Sequence, residues 1–219
     1  MLAGGSVSRA SHGGTLQCSW FQVSSDSVTS ANPKDGKTTV ITNLAVSFAQ
    51  SGKRVLLVDC DFRRPRVGRV FGITSDIGLA EVITGDAEPI DTIVPSEIEN
   101  LWVLPCGHSP ANPSELLTSP EFERFVDVMR DQYDMVIIDS PPMLAVSDPA
   151  VIAPRVDGVL MTVKITKHGR PGVVHAKEIL SRVGANILGL VVNGSGQGQG
   201  YGYGKYGKGY GYGYGGGYG

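Results

Sequence analysis

Ten consecutive residues, 30–39, read Ser-Ala-Asn-Pro-Lys-Asp-Gly-Lys-Thr-Thr, the pattern of a phosphate-binding loop with alanine in place of the usual first glycine. In such a loop, backbone N–H groups at a helix N-terminus bind the phosphates of a nucleoside triphosphate, whose charge the helix dipole favours. The lysine at position 37 can reach the β- and γ-phosphates, and the hydroxyl at position 38 can ligate Mg²⁺. An ordinary Gly-Lys turn is the alternative. The pattern predicts phosphate contacts from Asn32, Pro33, Lys34, Asp35, Gly36, Lys37, Thr38 and Thr39.

Three aspartates follow short apolar runs that are typical of buried parallel strands. Residues 55–58 lead into Asp59 and Asp61, and residues 135–138 lead into Asp139. Ligands of open α/β sheets lie beyond the carboxyl ends of the strands, so we expect the three carboxylates to converge on the metal of the loop. Mg²⁺ takes only one or two carboxylates directly, so the others act through water or on the substrate. The alternative is that they cap strand ends and turns.

Composition limits the classes of function. The formal net charge is −2 and the pI is about 6.1, so no global basic field draws nucleic acid. The cysteines, Cys18, Cys60 and Cys106, lack metal-ligand spacing, which favours a reducing compartment and argues against structural zinc. No apolar run approaches the length of a membrane span. We therefore expect a soluble, cytoplasmic chain.

Helices and strands are predicted to alternate within one domain, 21–193, between a flexible lead-in, 1–20, and a flexible Gly-rich tail, 194–219. This alternation predicts a three-layer α/β fold of the P-loop NTPase type, with a mainly parallel central sheet flanked by helices. The first strand is predicted because the loop needs one before it, although Ser24 to Ser27 is poor strand material. The predicted strands are 21–29, 54–58, 101–105, 134–138, 158–163 and 187–192. The predicted helices are one that starts at Thr38 and stops at Gly52, and others near 77–84, 120–131, 147–153 and 172–183.

The tail from residue 201 to residue 219 contains only tyrosine, glycine and lysine. Glycine at this density does not form a packed element, so the phenol groups are expected to be exposed. Attached to a phosphoryl-transfer site, they are candidate phosphate acceptors. A self-associating segment, or a stacking platform for single-stranded nucleic acid, is the alternative. The candidate acceptors are Tyr201, Tyr203, Tyr206, Tyr210, Tyr212, Tyr214 and Tyr218.

Taken together, these segments resemble the cytoplasmic catalytic domain of the bacterial tyrosine kinases that control capsule and exopolysaccharide export. The resemblance covers about residues 28–219 and implies a fold similar to that of the MinD/ParA ATPases. It also implies autophosphorylation of the tyrosine cluster between neighbouring subunits of a ring. The matching segments are 30–39 (Walker A), 55–66 (Walker A′), 78–79, 112–117, 137–142 (Walker B), 191–193 and the terminal tyrosines.

The resemblance implies a role for each site residue and names partners. Lys37 binds phosphates, Thr38 ligates Mg²⁺, Asp59 is the base or a metal ligand, Asp61 and Asp139 complete the metal site, and Asn193 recognises the adenine of ATP. The implied partners are further copies of the chain, a membrane activator or chain-length-determinant module, and a protein tyrosine phosphatase. Nucleic acid is not among them. The implied location is the cytoplasmic face of the cell membrane, reached through a partner or a missing N-terminal module.

Three departures from the family pattern bear on function. Asn32 stands where MinD/ParA ATPases have a signature lysine, which favours the kinase branch. Lys34 stands where the family often has glycine. The N-terminal part lacks both the Glu-x-x-Arg-x-x-Arg helix that joins subunits, which leaves ring assembly open, and the membrane-spanning chain-length module of single-chain family members. The chain is therefore expected to be either a stand-alone kinase with a separate membrane activator or one with a truncated or altered N-terminus.

The leading function is therefore an ATP-dependent tyrosine autokinase that regulates capsule or exopolysaccharide synthesis. A MinD/ParA-type ATPase switch is the main alternative, and an ATP-binding adaptor without kinase activity is another. Before modification the tail carries only Lys205 and Lys208 as charged side chains. We expect this cationic tail to be attracted to an acidic mouth made by the three strand-end aspartates, and to be repelled from it once phosphorylated.

Overall fold

A computed structural model gives the structure of the chain and describes residues 25–165 and 169–193. Its centre is a seven-stranded sheet with the order β3-β4-β2-β5-β1-β6-β7. The short β3 is antiparallel to β4, and all other neighbouring strands are parallel. The strands are β1 Ser25–Ser30, β2 Val55–Asp59, β3 Val94–Pro95, β4 Leu101–Leu104, β5 Met135–Asp139, β6 Gly158–Lys164 and β7 Ile187–Asn193.

Eight helices of the described ranges connect the strands, and one 3-10 turn, Ala153–Arg155, follows the seventh helix. None of them is long and apolar enough to cross a membrane. The helices are α1 Lys37–Gln50, α2 Val67–Val70, α3 Leu79–Thr84, α4 Pro89–Thr92, α5 Pro113–Thr118, α6 Pro120–Gln132, α7 Asp148–Ile152 and α8 Gly169–Arg182.

The sheet is buried on both faces, as the continuous apolar runs of β2 and β5 predict. On one face, Ile41 and Ala45 of α1 pack against Leu57 and Ile137. On the other face, α6 contributes the core residues Phe122, Phe125, Val126 and Met129. Two helical layers around one sheet give the predicted three-layer architecture.

The strand least supported by its composition, β1, lies at the centre of the sheet between β5 and β6. Its hydroxyl groups are buried but have hydrogen-bond partners, two of which lie in the segment directly after β5. Ser27 Oγ donates to Ser140 Oγ at 3.3 Å, and Thr29 Oγ1 donates to the carbonyl of Pro141 at 2.9 Å. Because these bonds satisfy the polar groups, a serine-rich segment can form a central strand. The described strand starts at Ser25, and the first four residues of the predicted range lie outside the described ranges.

Most other predicted elements are found with boundaries shifted by a few residues. The first helix begins at Lys37, and Gly52 behind it has φ of 88°, which agrees with a glycine C-terminal stop. The last helix begins at Gly169, three residues before the predicted start. Five elements were not predicted from the sequence: β3, α2, α4, α5 and the 3-10 turn. The predicted lead-in and tail lie outside the described residues.

Candidate nucleotide-binding active site

The predicted phosphate loop connects β1 to α1, and two of its residues have left-handed backbone conformations. Gly36 has φ of 90°, and a Cβ atom placed there would lie 2.0 Å from Nδ2 of Asn193. Glycine is therefore required at position 36 both by its backbone angle and by a close side chain. Lys34 has φ of 70°, a conformation that glycine adopts at no steric cost. The lysine thus keeps the backbone path of a glycine at the cost of about 1 kcal/mol of strain.

Asp35 braces the loop from inside. Its carboxylate oxygen Oδ2 accepts a hydrogen bond from the backbone N–H of Asn32 at 3.0 Å. Its carbonyl oxygen accepts one from Nδ2 of Asn193, the last residue of β7, at 3.2 Å. These two bonds fix the loop to itself and to the end of an edge strand. They also place Asn193 beside the loop, where the sequence analysis expected a contact to the nucleotide base.

Lys37 is paired with two of the predicted carboxylates. Its Nζ atom lies 2.5 Å from Oδ1 of Asp139 and 3.5 Å from Oδ2 of Asp61. The second oxygen of Asp139 accepts a hydrogen bond from the hydroxyl of Thr38 at 3.0 Å. The structure therefore brings four of the predicted residues, Lys37, Thr38, Asp61 and Asp139, into direct contact at the start of α1.

Asp59 is as inaccessible to solvent as Asp139, each being 1% exposed, but it has different partners. The two residues lie opposite each other in the pairing of β2 with β5. Its Oδ2 atom accepts the backbone N–H groups of Arg66 and Val67 at 3.0 Å each, and its Oδ1 atom accepts that of Asp61 at 3.1 Å. Through these bonds Asp59 fixes the backbone of the segment 61–67, which carries Asp61 and the arginines that follow it. No contact in the structure tests its expected role as base or metal ligand, and that role stays a prediction.

Burial perturbs the acids of the site. Burial first, and the charge of Asp139 second, raise the pKa of Asp59 to about 7, although backbone N–H groups and Lys37 oppose the shift. Burial also raises the pKa of Asp139 above its ordinary value, against the opposing effect of Lys37 and Thr38. A carboxyl group with a pKa near 7 suits proton transfer at neutral pH.

The loop opens into a cavity of about 430 Å³, lined by Lys37, Thr38 and Asp61, with Pro141 and Pro142 from the segment after β5. Its donor set suits Mg²⁺, which prefers a hydroxyl, one or two carboxylates and phosphate oxygens. Within the described ranges, no three His, Cys, Asp or Glu side chains are grouped to hold a metal on their own. The residues present therefore fit Mg²⁺ bound together with a nucleotide, through Thr38, Asp61 and Asp139.

The mouth of the cavity is cationic. Lys34, Arg63, Arg64 and Arg66 line it and are exposed, whereas the three aspartates are nearly inaccessible to solvent. The expected acidic mouth is therefore wrong. The strand-end carboxylates are buried and bound by Lys37, Thr38 and backbone N–H groups, whereas the loop after β2 exposes its arginines.

One cation of the mouth is held by groups that the sequence analysis did not single out. Nε of Arg63 donates to Oδ2 of Asp148 at 3.1 Å, and the other carboxylate oxygen of Asp148 accepts from the hydroxyl of Ser114. Asp148 is only 1% exposed. Ser114 lies in the segment 112–117 that carries the family resemblance, but nothing in the sequence marked Asp148.

Comparisons with known proteins agree with this geometry. A family described as "AAA domain" matches residues 28–187. The tyrosine-protein kinase YwqD of Bacillus subtilis (strain 168) is 38% identical over 173 residues, which are 79% of this chain and 73% of YwqD.

Solved structures with this fold include a kinase and an ATPase. The kinase domain of the Escherichia coli tyrosine kinase ETK matches with a TM-score of 0.77 and 34% identity, over 83% of this chain and 72% of that one. MinD of Pyrococcus horikoshii OT3, complexed with Mg-ADP, matches with a TM-score of 0.69 and 26% identity, over 80% of this chain and 72% of that one. With the family match over most of the chain and YwqD aligned over most of both lengths, the chain belongs to the bacterial tyrosine-protein kinases, which share the P-loop fold of the MinD-type ATPases.

Proposed function

We propose that this chain uses Mg²⁺ and ATP to phosphorylate tyrosines of its own C-terminal cluster, in trans between neighbouring copies. The observation that carries the proposal is the contact of Lys37 with Asp139 and Asp61 at the start of α1, beside the hydroxyl of Thr38. This is the set of groups that binds the phosphates and the metal in P-loop phosphoryl transfer. The acceptors are Tyr201, Tyr203, Tyr206, Tyr210, Tyr212, Tyr214 and Tyr218.

Phosphoryl transfer needs positioning and charge neutralisation more than covalent work by the protein. Mg²⁺·ATP supplies the phosphoryl group and part of the neutralising charge when bound. Lys37 and the loop N–H groups hold the phosphates, while Thr38, Asp61 and Asp139 hold the metal. Asn193 recognises the adenine from the end of β7, beside Gly36. The apolar lining from Pro141 and Pro142 helps to exclude water.

The acceptor needs a base, because a tyrosine hydroxyl has a pKa of about 10. Asp59 fits this part since its own pKa is raised to about 7. Its Oδ2 atom already accepts the N–H groups of Arg66 and Val67. To receive a proton, it has to exchange one of these bonds, so the base role requires a movement at the first turn of α2. Asp61, which lines the cavity, is the alternative base.

The family assignment extends the proposal to a cellular role. The chain regulates the synthesis and export of capsular or exopolysaccharide, and it works at the cytoplasmic face of the membrane together with a membrane activator or chain-length-determinant module. Its copies assemble into a ring, and a tyrosine phosphatase removes the phosphate groups from the tail. The support for these partners is the membership in the family, and nucleic acid is not among them.

A MinD/ParA-type ATPase switch is the second candidate function, because MinD has the same fold. In that case the site would activate water, and the tail would serve only for interactions. The residue that argues against it is Asn32, which is exposed in the loop where those ATPases have a signature lysine. An adaptor that binds ATP without catalysis is a third candidate, which would need a damaged phosphate loop. The contacts of Lys37 and Thr38 with Asp139 argue against such damage.

One experiment separates the three candidates. The full chain is incubated with Mg²⁺ and ATP labelled at the γ-phosphate, and the label is then located. Label on protein tyrosine supports the kinase, free phosphate alone identifies the ATPase switch, and label in neither fraction identifies the adaptor. Lys37→Met serves as the control that removes phosphate binding.

A further inference from the structure

Three arginines at the mouth of the nucleotide cavity have charges that the proposed reaction does not use. We call Arg63, Arg64 and Arg66 the arginine rim. All three are exposed and line the cavity. The side chains of Arg64 and Arg66 make no hydrogen bond or ion pair within residues 25–165 and 169–193. Their positive charges are therefore available to a ligand.

The third member of the rim is fixed in place. Nε of Arg63 donates to the buried carboxylate of Asp148, which Ser114 also holds, while 47% of the Arg63 side chain is exposed. The terminal nitrogens Nη1 and Nη2 make no hydrogen bond to any described residue. A guanidinium group held at one nitrogen presents a preorganised pair of donors, which suits two oxygens of a phosphate.

The ligand should be an anion that comes to the mouth of this cavity. The tail, 201–219, contains no acidic residue and carries Lys205 and Lys208, so the rim repels it before modification. Each phosphotyrosine adds a charge of about −1.5 to −2 and three acceptor oxygens. Phosphorylation therefore reverses the sign of the interaction between tail and rim.

We propose that the arginine rim is a binding site for phosphotyrosine of this chain's own tail, so that the product of the reaction is retained at the mouth of the site. The proposal rests on the proposed function for the source of the phosphotyrosine. A retained phosphotyrosine occupies the path by which the next tyrosine enters, and phosphorylation of the cluster becomes self-limiting. Because the rim is exposed, salt weakens the retention.

The test measures binding and involves no catalysis. The full chain is treated with phosphatase and kept without nucleotide in the presence of a chelator. Fluorescence anisotropy then records its affinity for two synthetic peptides of residues 200–219, one unmodified and one with phosphotyrosine at positions 210 and 212. We expect the phosphopeptide to bind at least about tenfold more tightly, since its charge-assisted hydrogen bonds are absent from the unmodified peptide.

Variants locate the site. Arg64→Gln combined with Arg66→Gln should weaken binding of the phosphopeptide by about tenfold or more. Arg69→Gln is the matched control, because Arg69 is exposed in the adjoining helix but does not line the cavity, and it should change the affinity less than twofold. Equal affinity for the two peptides, or wild-type affinity in the double variant, would overturn the proposal.

ATP also carries phosphate groups, which the arginine rim could bind in place of phosphotyrosine. A second measurement distinguishes these two ligands. Affinity for Mg²⁺·ATP is measured in the same double variant, and we expect it to change less than the affinity for the phosphopeptide. An equal loss of both affinities would assign the rim to the nucleotide and overturn the proposal. Since no phosphate is transferred in these experiments, their outcome does not depend on whether the chain phosphorylates its tail.

Discussion

The ammonium group of Lys37 lies 2.5 Å from Oδ1 of Asp139, and the two side chains are only 8% and 1% exposed. A buried ion pair contributes little net stability, but removal of one partner leaves an uncompensated charge in the interior. The same two residues are expected to bind phosphate and metal. Substitution of either residue is therefore expected to change both the activity and the free energy of unfolding.

Lys37→Met should abolish phosphotyrosine formation and should also lower the free energy of unfolding by about 3–5 kcal/mol, because the carboxylates of Asp139 and Asp61 lose their cation. The double variant Lys37→Met/Asp139→Asn should recover part of this stability without recovering activity. Denaturant unfolding measures the first effect, and labelling with ATP measures the second. Lys177→Met, at an exposed position of α8, is the control. Wild-type labelling of Lys37→Met at saturating ATP would show that the site is assigned wrongly.

Gly36→Ala should lower the affinity for nucleotide by more than tenfold and destabilise the fold by about 2 kcal/mol or more. The reason is that alanine has both an unfavourable backbone angle and a clash with Nδ2 of Asn193. Asn193→Ala in the same chain should relieve the clash and leave the backbone strain, so the double variant should be more stable than Gly36→Ala. Isothermal titration and thermal unfolding measure the two effects.

Lys34→Gly is the matched control in the same loop. Glycine removes about 1 kcal/mol of strain at φ of 70° but loses a similar amount through its freedom in the unfolded chain. The unfolding free energy should therefore stay within about 0.5 kcal/mol of wild type. A loss as large as that of Gly36→Ala would contradict the backbone argument.

Asp26 should make stability depend on pH. It is buried in β1, neither of its carboxylate oxygens has a hydrogen-bond partner among the described residues, and burial together with Asp157 raises its pKa to about 7. A raised pKa means that the folded state binds a proton more tightly than the unfolded state does. The free energy of unfolding should therefore fall as the pH rises from about 4 to about 7, by on the order of 3 kcal/mol.

Asp26→Asn cannot ionise, so the variant should lose this part of the pH dependence. Denaturant unfolding between pH 4 and pH 8 measures it, and the difference between wild type and variant isolates Asp26 from the other carboxyl groups with a raised pKa, Asp59 and Asp139. Asp131→Asn, exposed on α6, should keep the wild-type slope. Parallel curves for wild type and Asp26→Asn would show that Asp26 does not titrate as inferred.

Asp59→Asn should reduce the rate of transfer far more than the affinity for nucleotide. If Asp59 is the base, the single-turnover rate of the wild type should rise with pH up to about 7, where its carboxyl group loses its proton, and then level off. The Asp59→Asn variant should be slow and should lack this rise. A pH–rate rise that persists in Asp59→Asn would move the base to another residue.

Asp139→Asn should instead weaken Mg²⁺ dependence and nucleotide affinity together.

Local patterns in the sequence were enough to predict the loop, the strand-end acids and the mainly parallel sheet. Each of these follows from a short run of residues, such as the four apolar residues before Asp139. Contacts between distant segments were not predictable in this way. Arg63 and Asp148 are separated by 85 positions, and no motif joins them. Strand β1 can lie at the centre of the sheet because distant residues provide hydrogen-bond partners for its hydroxyl groups. Strand propensity, which considers each residue alone, does not predict such partners.

The main error in the prediction from sequence was that the three aspartates form an exposed acidic mouth, because all three are buried. The spacing of Asp59 and Asp61 places them at a strand end but does not tell which groups they bind. In the structure Asp59 binds the N–H groups of Arg66 and Val67, so the charges left at the surface are those of the arginines. A surface potential is a property of the folded chain, and reading carboxylates as exposed reversed its sign.

The central claim is that the terminal cluster accepts the phosphate. Seven of the eight tyrosines lie in the tail, and the eighth, Tyr133, is half-buried against Trp102 and serves as an internal control. The decisive measurement is site mapping by mass spectrometry after incubation of the full chain with Mg²⁺·ATP, together with a chain truncated after Gly200. We expect phosphotyrosine in the tail, none at Tyr133, and loss of phosphotyrosine but not of nucleotide affinity on truncation. Phosphotyrosine at the wild-type level in the truncated chain would contradict it.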